Sequence, residues 1–371
     1  MKRRTFMQSV AGVGTVVLGG CAFGANDKEQ GRVIPENAAF LLPEEADPHA
    51  RTFMQWPVHA DIYEGRRYLR EAQQSIALIA RTIAEFEPVT MLADARHHAD
   101  IADLCGRQVT LWDIPTDDLW CRDAGPLFVK DAAGALAVMD FNFNGWGGKQ
   151  RHENDRLIAR RVAERLELPH FDSALVGEPG GLEFDGEGTI IAHESSWVNA
   201  NRNAVRRDAI TERLMQAIGG ERVIWAPGVT GRDITDYHID SLVRFVRPGV
   251  VLIQLPETIR ANDPWSAAAY ETYAILQDAR DAQGRAFEII TVPEPVDIRA
   301  TSRDFVGSYV NYYVCNGAVI AAQFGDRRAD AEAYETLSAL YPDREVVMLD
   351  VDPIGEAGGG VHCATQQQPA A

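Results

Sequence analysis

Residues Gly358-Gly359-Gly360-Val361-His362-Cys363 place a thiol directly after a glycine run near the end of the chain. Glycine admits close backbone approach and conformations that other residues avoid. Cys363 is therefore expected at the floor of a pocket, as a nucleophile. A lone cysteine is more often a small buried hydrophobe than a reacting group. The glycines, which bring no side chain to pack, and the polar run Thr365-Gln366-Gln367-Gln368 argue against an ordinary core strand. Far upstream, Asp236-Tyr237-His238-Ile239-Asp240 holds a histidine two positions from an acid. Read as a strand, the segment puts His238 and Asp240 on one face. A cysteine, a histidine and acids that are distant in sequence but meet in space suit thiol-based covalent catalysis.

Three further segments concentrate polar chemistry. Trp120-Cys121-Arg122-Asp123-Ala124-Gly125-Pro126 sets a carboxylate among bulky and turn residues; taken alone, an Arg–Asp pair explains it equally well. Phe141-Asn142-Phe143-Asn144-Gly145-Trp146-Gly147-Gly148-Lys149 interleaves aromatics with glycines. A tryptophan face there suits a flat or cationic group, and a hydrophobic anchor of a surface loop is the other account. Glu178-Pro179-Gly180-Gly181-Leu182-Glu183-Phe184-Asp185-Gly186-Glu187 is acid-rich and broken by glycines. It reads as a solvated turn or a ligand loop, and it lacks the EF-hand spacing.

These segments need a frame. Apolar residues at Leu69, Ala72, Ile76, Ile79, Ile83 and Phe86 predict an amphipathic helix over 66–87, ended by Pro88. Further helices are predicted over 153–167, 204–218, 266–283 and 328–340. Short apolar runs at Val89–Leu92, Leu136–Phe143, Thr189–Ala192, Val250–Leu255 and Ala318–Gln323 are of strand length. The alternation is α/β, for which a doubly wound parallel sheet is the first expectation. Neither GxGxxG after the first strand nor GxxxxGK[ST] occurs, so no nucleotide or phosphate cradle is expected.

Composition narrows the function. The chain has 371 residues, 46% hydrophobic and 24% charged, which suits a folded enzyme with a large core. A net charge of −18 argues against a nucleic-acid partner and favours a small cation, or serves solubility alone. Cys21, Cys105, Cys121, Cys315 and Cys363 show neither disulfide density nor paired metal-ligand spacing. His97-His98 by itself makes no zinc site, and no metal or other cofactor is expected.

The N-terminus reads as an address. Met1-Lys2-Arg3-Arg4-Thr5-Phe6-Met7 carries twin arginines, and an uncharged stretch from Ser9 to Gly20 follows. That stretch is shorter than the roughly 20 apolar residues of a membrane span, and the whole predicts a twin-arginine export signal. Leu18-Gly19-Gly20-Cys21 resembles a lipobox, with Cys21 as the lipid-attachment site and membrane anchorage through it; an ordinary export signal with a chance cysteine is the alternative. The expected organisation is a signal over 1–21, a flexible tether over 22–38 and a single catalytic domain over 39–371, held in the periplasm or at a membrane. Passage of an already folded chain would let Cys363 stay reduced although its destination is oxidising.

In the same order, Trp120–Pro126, Asn142–Gly148, Glu178–Thr189, Ser195–Asn203, His238–Asp240, Tyr309–Asp326 and Gly358–Gln368 resemble the agmatine deiminase family, which also contains the Porphyromonas-type peptidyl-arginine deiminases. The resemblance covers about residues 36–369. It implies a pentein fold, an α/β-propeller of about five ββαβ modules around a pseudo-fivefold axis. It implies Cys363 as nucleophile on a guanidinium carbon, His238 as general acid and base, and Glu178 as the acid that orients that histidine. Asp123 and Asp240 become the carboxylates that clamp the guanidinium. Trp120, Trp146, Gly359 and Gly360 are further candidates for substrate contact. Pro179 and Gly360 stand where the family often has glycine and asparagine, a difference of loop shape. The implied activity is hydrolysis of agmatine to N-carbamoylputrescine and ammonia without a cofactor. Deimination of peptidyl or free arginine is the second reading, and a polyamine-binding lipoprotein a third. Asp233, Asp236 and Trp146 lean towards a distal amine, whereas Arg202 and Arg232 would meet a carboxylate. Amidino transfer in place of hydrolysis, and assembly into a homo-oligomer, are left open by the residues.

Overall fold

The computed structural model describes residues 31–35, 38–300 and 305–370. The expected signal over 1–21, Cys21 and most of the tether lie outside them. The described residues form five sheets, and four of them are built on one plan. An antiparallel pair of strands is followed by a helix and then by a third strand parallel to the second. Leu127–Asp131, Leu136–Asp140, helix Ile158–Arg165 and His170–Asp172 are one such unit. Leu182–Phe184, Thr189–His193, helix Arg207–Ile218 and Arg222–Ala226 are the next. Val243–Arg247, Val250–Leu255, helix Pro264–Asp278 and Glu288–Pro293 follow. Tyr313–Cys315, Ala318–Ala322, helix Arg327–Leu340 and Glu345–Leu349 complete the series.

The remaining sheet follows the same plan with its chain order broken. Its leading strand is Thr365–Pro369, antiparallel to His49–Gln55. Helix Arg66–Ile83 then leads to Val89–Ala93, parallel to His49–Gln55, with Val109–Asp113 added outside. The C-terminal strand thus supplies the first module with its missing edge and closes the ring of modules. The pentein architecture replaces the doubly wound sheet that alternation alone suggests: an antiparallel pair of strands opens each module, and a doubly wound parallel sheet is not built from such pairs.

Local sequence explains the elements. Helix Arg66–Ile83 buries Ala72, Ile76, Ile79, Ala80 and Ile83 on one face, the 3–4 spacing of an amphipathic helix. It ends at Ile83, four residues short of the boundary expected at Pro88. Val89–Ala93 is buried throughout, as befits a strand flanked on both sides by parallel partners. The predicted helix over 153–167 resolves into a 3-10 turn at Asp155–Leu157 and an α-helix at Ile158–Arg165. The others lie at Arg207–Ile218, Pro264–Asp278 and Arg327–Leu340. Periodicity gives no sign of the short helices His98–Cys105 and Asp352–Ala357.

The N-terminal stretch assigned to a tether contributes to the fold where it is described. Arg32–Val33 pairs in parallel with His170–Asp172, and just inside the expected catalytic domain Phe40–Leu41 pairs with Leu127–Asp131. Among the described residues no helix is long and apolar enough to cross a membrane.

Ile76 is fully buried between the first module's helix and the core around it. Ile76→Ala is expected to lower the unfolding free energy by about 2–5 kcal/mol. Chemical denaturation checks this, with the site residues unaffected in the folded protein.

Candidate active site

Each module contributes to the site from the segment that runs into its leading strand. Asp123 precedes Leu127–Asp131, Glu178 precedes Leu182–Phe184, and His238 and Asp240 precede Val243–Arg247. Asn311 precedes Tyr313–Cys315, and Cys363 precedes Thr365–Pro369. The repeated plan therefore brings five distant segments to one place. Asn311 is a member that motif reading missed. It lies within Tyr309–Asp326, which carried no chemical assignment, and its place before a leading strand is what singles it out.

His238 does not lie on a strand. It caps a 3-10 turn at Ile239–Ser241, so strand alternation is not what brings it together with Asp240. The turn does so instead, and both side chains are buried in the site. His238 Nε2 is 3.1 Å from Glu178 Oε2, and Nδ1 is 3.6 Å from Asp123 Oδ1. Asp123 does not pair with its neighbour Arg122, whose guanidinium reaches Glu45 at 3.0 Å. Trp146 donates its indole N–H to Asp123 Oδ2 at 2.8 Å. Its link to the site is thus this hydrogen bond, where its face was the expected contact.

The thiol is surrounded by polar atoms. Asn311 Nδ2 donates to Cys363 Sγ at 3.2 Å, and Sγ lies 3.5 Å from Asp240 Oδ2. The Gly360 amide also donates to the thiol. Gly359 and Gly360 are explained by close packing. A side chain on Gly359 would meet the Trp120 ring at 2.5 Å, and one on Gly360 would meet Asn311 Oδ1 at 2.5 Å. Trp120 is buried against that turn, beside Cys363.

Gly180 locates the centre. A Cβ there would sit 2.6 Å from Asp123 Oδ1, 3.0 Å from His238 Nδ1 and 3.2 Å from Asp240 Oδ2. Asp123 Oδ1 and Asp240 Oδ1 are both buried without a hydrogen-bond partner. A buried, unsatisfied carboxylate oxygen is costly, and two of them around one point form a receptor for a many-donor cation. A planar guanidinium meets that need through charge-assisted bonds.

Burial and neighbouring charges set the protonation states. Burial pulls the His238 imidazolium down, but Asp123, the hydrogen bond to Glu178, and Asp240 outweigh it and push the group up to about 9. Burial lifts Asp123 to about 6; His238 opposes this, while Glu178 and Asp240 add to it. Burial also works against Glu178 and Asp240, yet Arg202 and His238 hold Glu178 below the usual carboxylate range, and His362 does so for Asp240. Burial, Asp240 and Asp123 drive the Cys363 thiol well above its ordinary value. Near neutral pH the site therefore holds an imidazolium, an ionised acid pair and a protonated thiol.

A second layer fixes these groups. Arg202 Nε lies 2.9 Å from both Glu178 oxygens, and its Nη1 is 2.9 Å from Asp236 Oδ2. Asp236 also takes Lys149 Nζ at 2.6 Å and the Gly231 amide at 2.7 Å. Asp236 and Arg202 are thus committed to each other, and neither is free for the distal end of a substrate. Asp233 accepts from Thr235 and the Tyr237 amide. Arg232 is exposed on the same loop. Among the described residues no group of histidine, cysteine and acidic side chains is placed to hold a metal ion.

A ring of hairpin-led α/β modules, with thiol, imidazole and carboxylates converging at the entries to its leading strands, defines a pentein hydrolase of amidine C–N bonds. Its sequence places it more narrowly. The chain belongs to the Porphyromonas-type peptidyl-arginine deiminase family, whose sequence model matches residues 41–369. It is 37% identical to the agmatine deiminase of Stutzerimonas stutzeri over 365 residues, covering 91% of this chain and 97% of that one. It is 35% identical to the agmatine deiminase of Pseudomonas aeruginosa, again over 91% of this chain and 97% of the relative. Among solved structures it resembles the agmatine deiminase of Enterococcus faecalis, with a TM-score of 0.84 and 25% identity over 91% of this chain and 99% of that one.

Gly180→Ala inserts a methyl group at the point where Asp123, His238 and Asp240 meet. It is expected to lower kcat/KM about a hundredfold or more while leaving thermal unfolding close to wild type. Steady-state kinetics beside a melting curve checks both halves.

Proposed function

We propose that this protein is an exported agmatine deiminase, which hydrolyses agmatine to N-carbamoylputrescine and ammonia. One observation carries the reading: two buried carboxylate oxygens, on Asp123 and Asp240, stand without a hydrogen-bond partner beside a cysteine and a histidine. That arrangement calls for a guanidinium at the thiol. The choice of agmatine is supported by the relatives at 37% and 35% identity. It also accords with Arg202, whose guanidinium is taken up by Glu178 and Asp236 and so is not available to an arginine carboxylate.

In this reading Asp123 and Asp240 hold the guanidinium nitrogens. The incoming positive charge offsets the acids that keep Cys363 protonated, so the thiol ionises in the complex and releases its proton to solvent, where the departing ammonia takes it up. The thiolate attacks the guanidinium carbon, forming a C–S bond. His238, held as a cation by Glu178 and Asp123, gives its proton to one terminal nitrogen, the C–N bond breaks, and ammonia leaves. The remaining group is a covalent amidino-cysteine. Water then gives a proton to the now neutral His238 and its oxygen adds to the carbon. The C–S bond breaks as the added hydroxyl passes its proton to the departing sulfur, which restores the resting thiol, and the carbon leaves as a ureido group. No redox step or cofactor is needed.

The free-protein groups predict a bell-shaped kcat/KM. Asp123, raised to about 6, must be ionised to clamp the cation, so activity falls as pH drops through that value. His238, raised to about 9, must be protonated to serve the leaving group, so activity falls as pH rises through that value. The limbs belong to the coupled cluster. Ammonia release should be measured across pH with agmatine, free arginine and a blocked arginyl peptide, beside Cys363→Ser. Agmatine turnover that Cys363→Ser abolishes is the expected result. Turnover of the peptide instead would move the function to protein deimination, and binding of agmatine without turnover would revive the polyamine-binding reading.

Export rests on Arg3-Arg4, and anchorage on Leu18-Gly19-Gly20-Cys21. In a host with a twin-arginine pathway, the full chain should fractionate with membranes and Cys21→Ala should be released to the periplasm. Cytosolic recovery of both forms would remove export from the proposal.

A further inference from the structure

His362, immediately before the nucleophile, is buried between two acids. Its Nδ1 lies 2.8 Å from Asp240 Oδ2 and its Nε2 2.9 Å from Glu45 Oε2. A neutral imidazole offers one N–H, and only the doubly protonated ring donates to a carboxylate at each nitrogen. Glu45 is itself well anchored. It takes Arg122 at 3.0 Å, Arg244 at 2.8 Å and the Val314 amide at 3.0 Å. The ring is therefore pinned at one end by a carboxylate that two arginines keep in place. At its other end it holds one oxygen of Asp240, and the second oxygen of that carboxylate is the one left without a partner.

We propose that His362 is a positioning residue: as an imidazolium strung between Glu45 and Asp240, it keeps Asp240 charged and turned so that Oδ1 faces the guanidinium. The inference rests on Asp240 acting as a substrate clamp, and it assigns that clamp a dedicated support. Without the ring, Asp240 Oδ2 keeps only the thiol at 3.5 Å, and the carboxylate is free to rotate. Its charge balance also changes. Asp240 faces Cys363 and Asp123, which disfavour its ionised form, and His238 and Arg244, which favour it. His362 in turn faces Asp240 and Glu45 directly and Glu183 across the network. Loss of the closest cation leaves burial as the dominant influence, so Asp240 takes up its proton at higher pH.

The test uses the full chain with agmatine as the probe. His362→Asn keeps a side-chain N–H near Asp240 but removes the charge and the arm to Glu45; His362→Ala removes everything. Expected for His362→Asn is a kcat/KM at pH 7 lower by about tenfold or more, the weight of one hydrogen bond to a charged group. KM should rise more than kcat falls. The acid limb should move to higher pH, since Asp240 now joins Asp123 in taking up a proton, and His362→Ala should be worse on each count. A folded His362→Asn with the wild-type acid limb and KM would overturn the proposal. Should neither variant fold, wild-type protein labelled with 15N-histidine decides. The His362 signal, identified by its response to alkylation of Cys363, is expected to show a proton donated from each ring nitrogen, as its two carboxylate partners require, and a single neutral tautomer would overturn the proposal. The spectrum needs no turnover. An inactive wild-type protein would thus count against the guanidine reading, while the protonation state of His362 would still be read separately.

Discussion

Two buried carboxylates that keep one oxygen each unsatisfied are the constraint on which the site depends. Acids are seldom buried without compensation, and the buried acids around this site are resolved in two ways. Glu178 has Arg202, Glu45 has Arg122 and Arg244, and Glu183 has Arg244. An arginine fork satisfies such a group permanently. Asp123 and Asp240 have histidines beside them, His238 and His362, and each retains an open oxygen. What sets Asp123 and Asp240 apart from the arginine-paired acids is that neither has an arginine and each keeps an oxygen without a hydrogen-bond partner. A guanidinium ligand would bring to Asp123 and Asp240 the kind of cation that the arginine-paired acids already possess.

The ring of modules is what makes that arrangement possible. A strand pair, a helix and a parallel strand form a unit that points the run-in to its first strand at the axis. Repetition brings Asp123, Glu178, His238, Asn311 and Cys363 together from positions across the chain. Closure depends on Thr365–Pro369 pairing with His49–Gln55. Cys363 sits two residues before that strand, so the interaction that closes the ring also fixes the thiol. Arg122 reinforces the join, since its amide donates to the Cys363 carbonyl and its guanidinium reaches Gln367 and Glu45.

Much of this was legible in the residues, for identifiable reasons. Helices such as Arg66–Ile83 and Arg327–Leu340 write a 3.6-residue apolar period, and strands such as Val250–Leu255 are short apolar runs. The five groups assigned to chemistry stand in segments whose glycines, aromatics and acids have no simple packing explanation, and the structure brings all five together. Periodicity did not reveal the ring, because the first module takes its leading strand from the other end of the chain. It also placed His238 on a strand where a 3-10 turn stands. Asn311, Glu45 and His362 escaped because their roles exist only through partners distant in sequence. Asp236 and Arg202 illustrate the reverse error: each looks like a substrate contact until the other is found beside it.

The same electrostatics sets the resting state of the Cys363 thiol. A cysteine held beside an imidazolium is usually expected to be a standing thiolate. Here Asp240 and Asp123 lie near Cys363, and with burial they outweigh the help that the Gly360 amide and Asn311 give the anion. The resting residue is thus a thiol, far less reactive towards oxidants and electrophiles than its anion. Only a cation able to occupy both open carboxylate oxygens removes the restraint. Selectivity would then lie in the ionisation of the nucleophile as well as in binding, because a ligand that leaves Asp123 and Asp240 unneutralised also leaves Cys363 protonated.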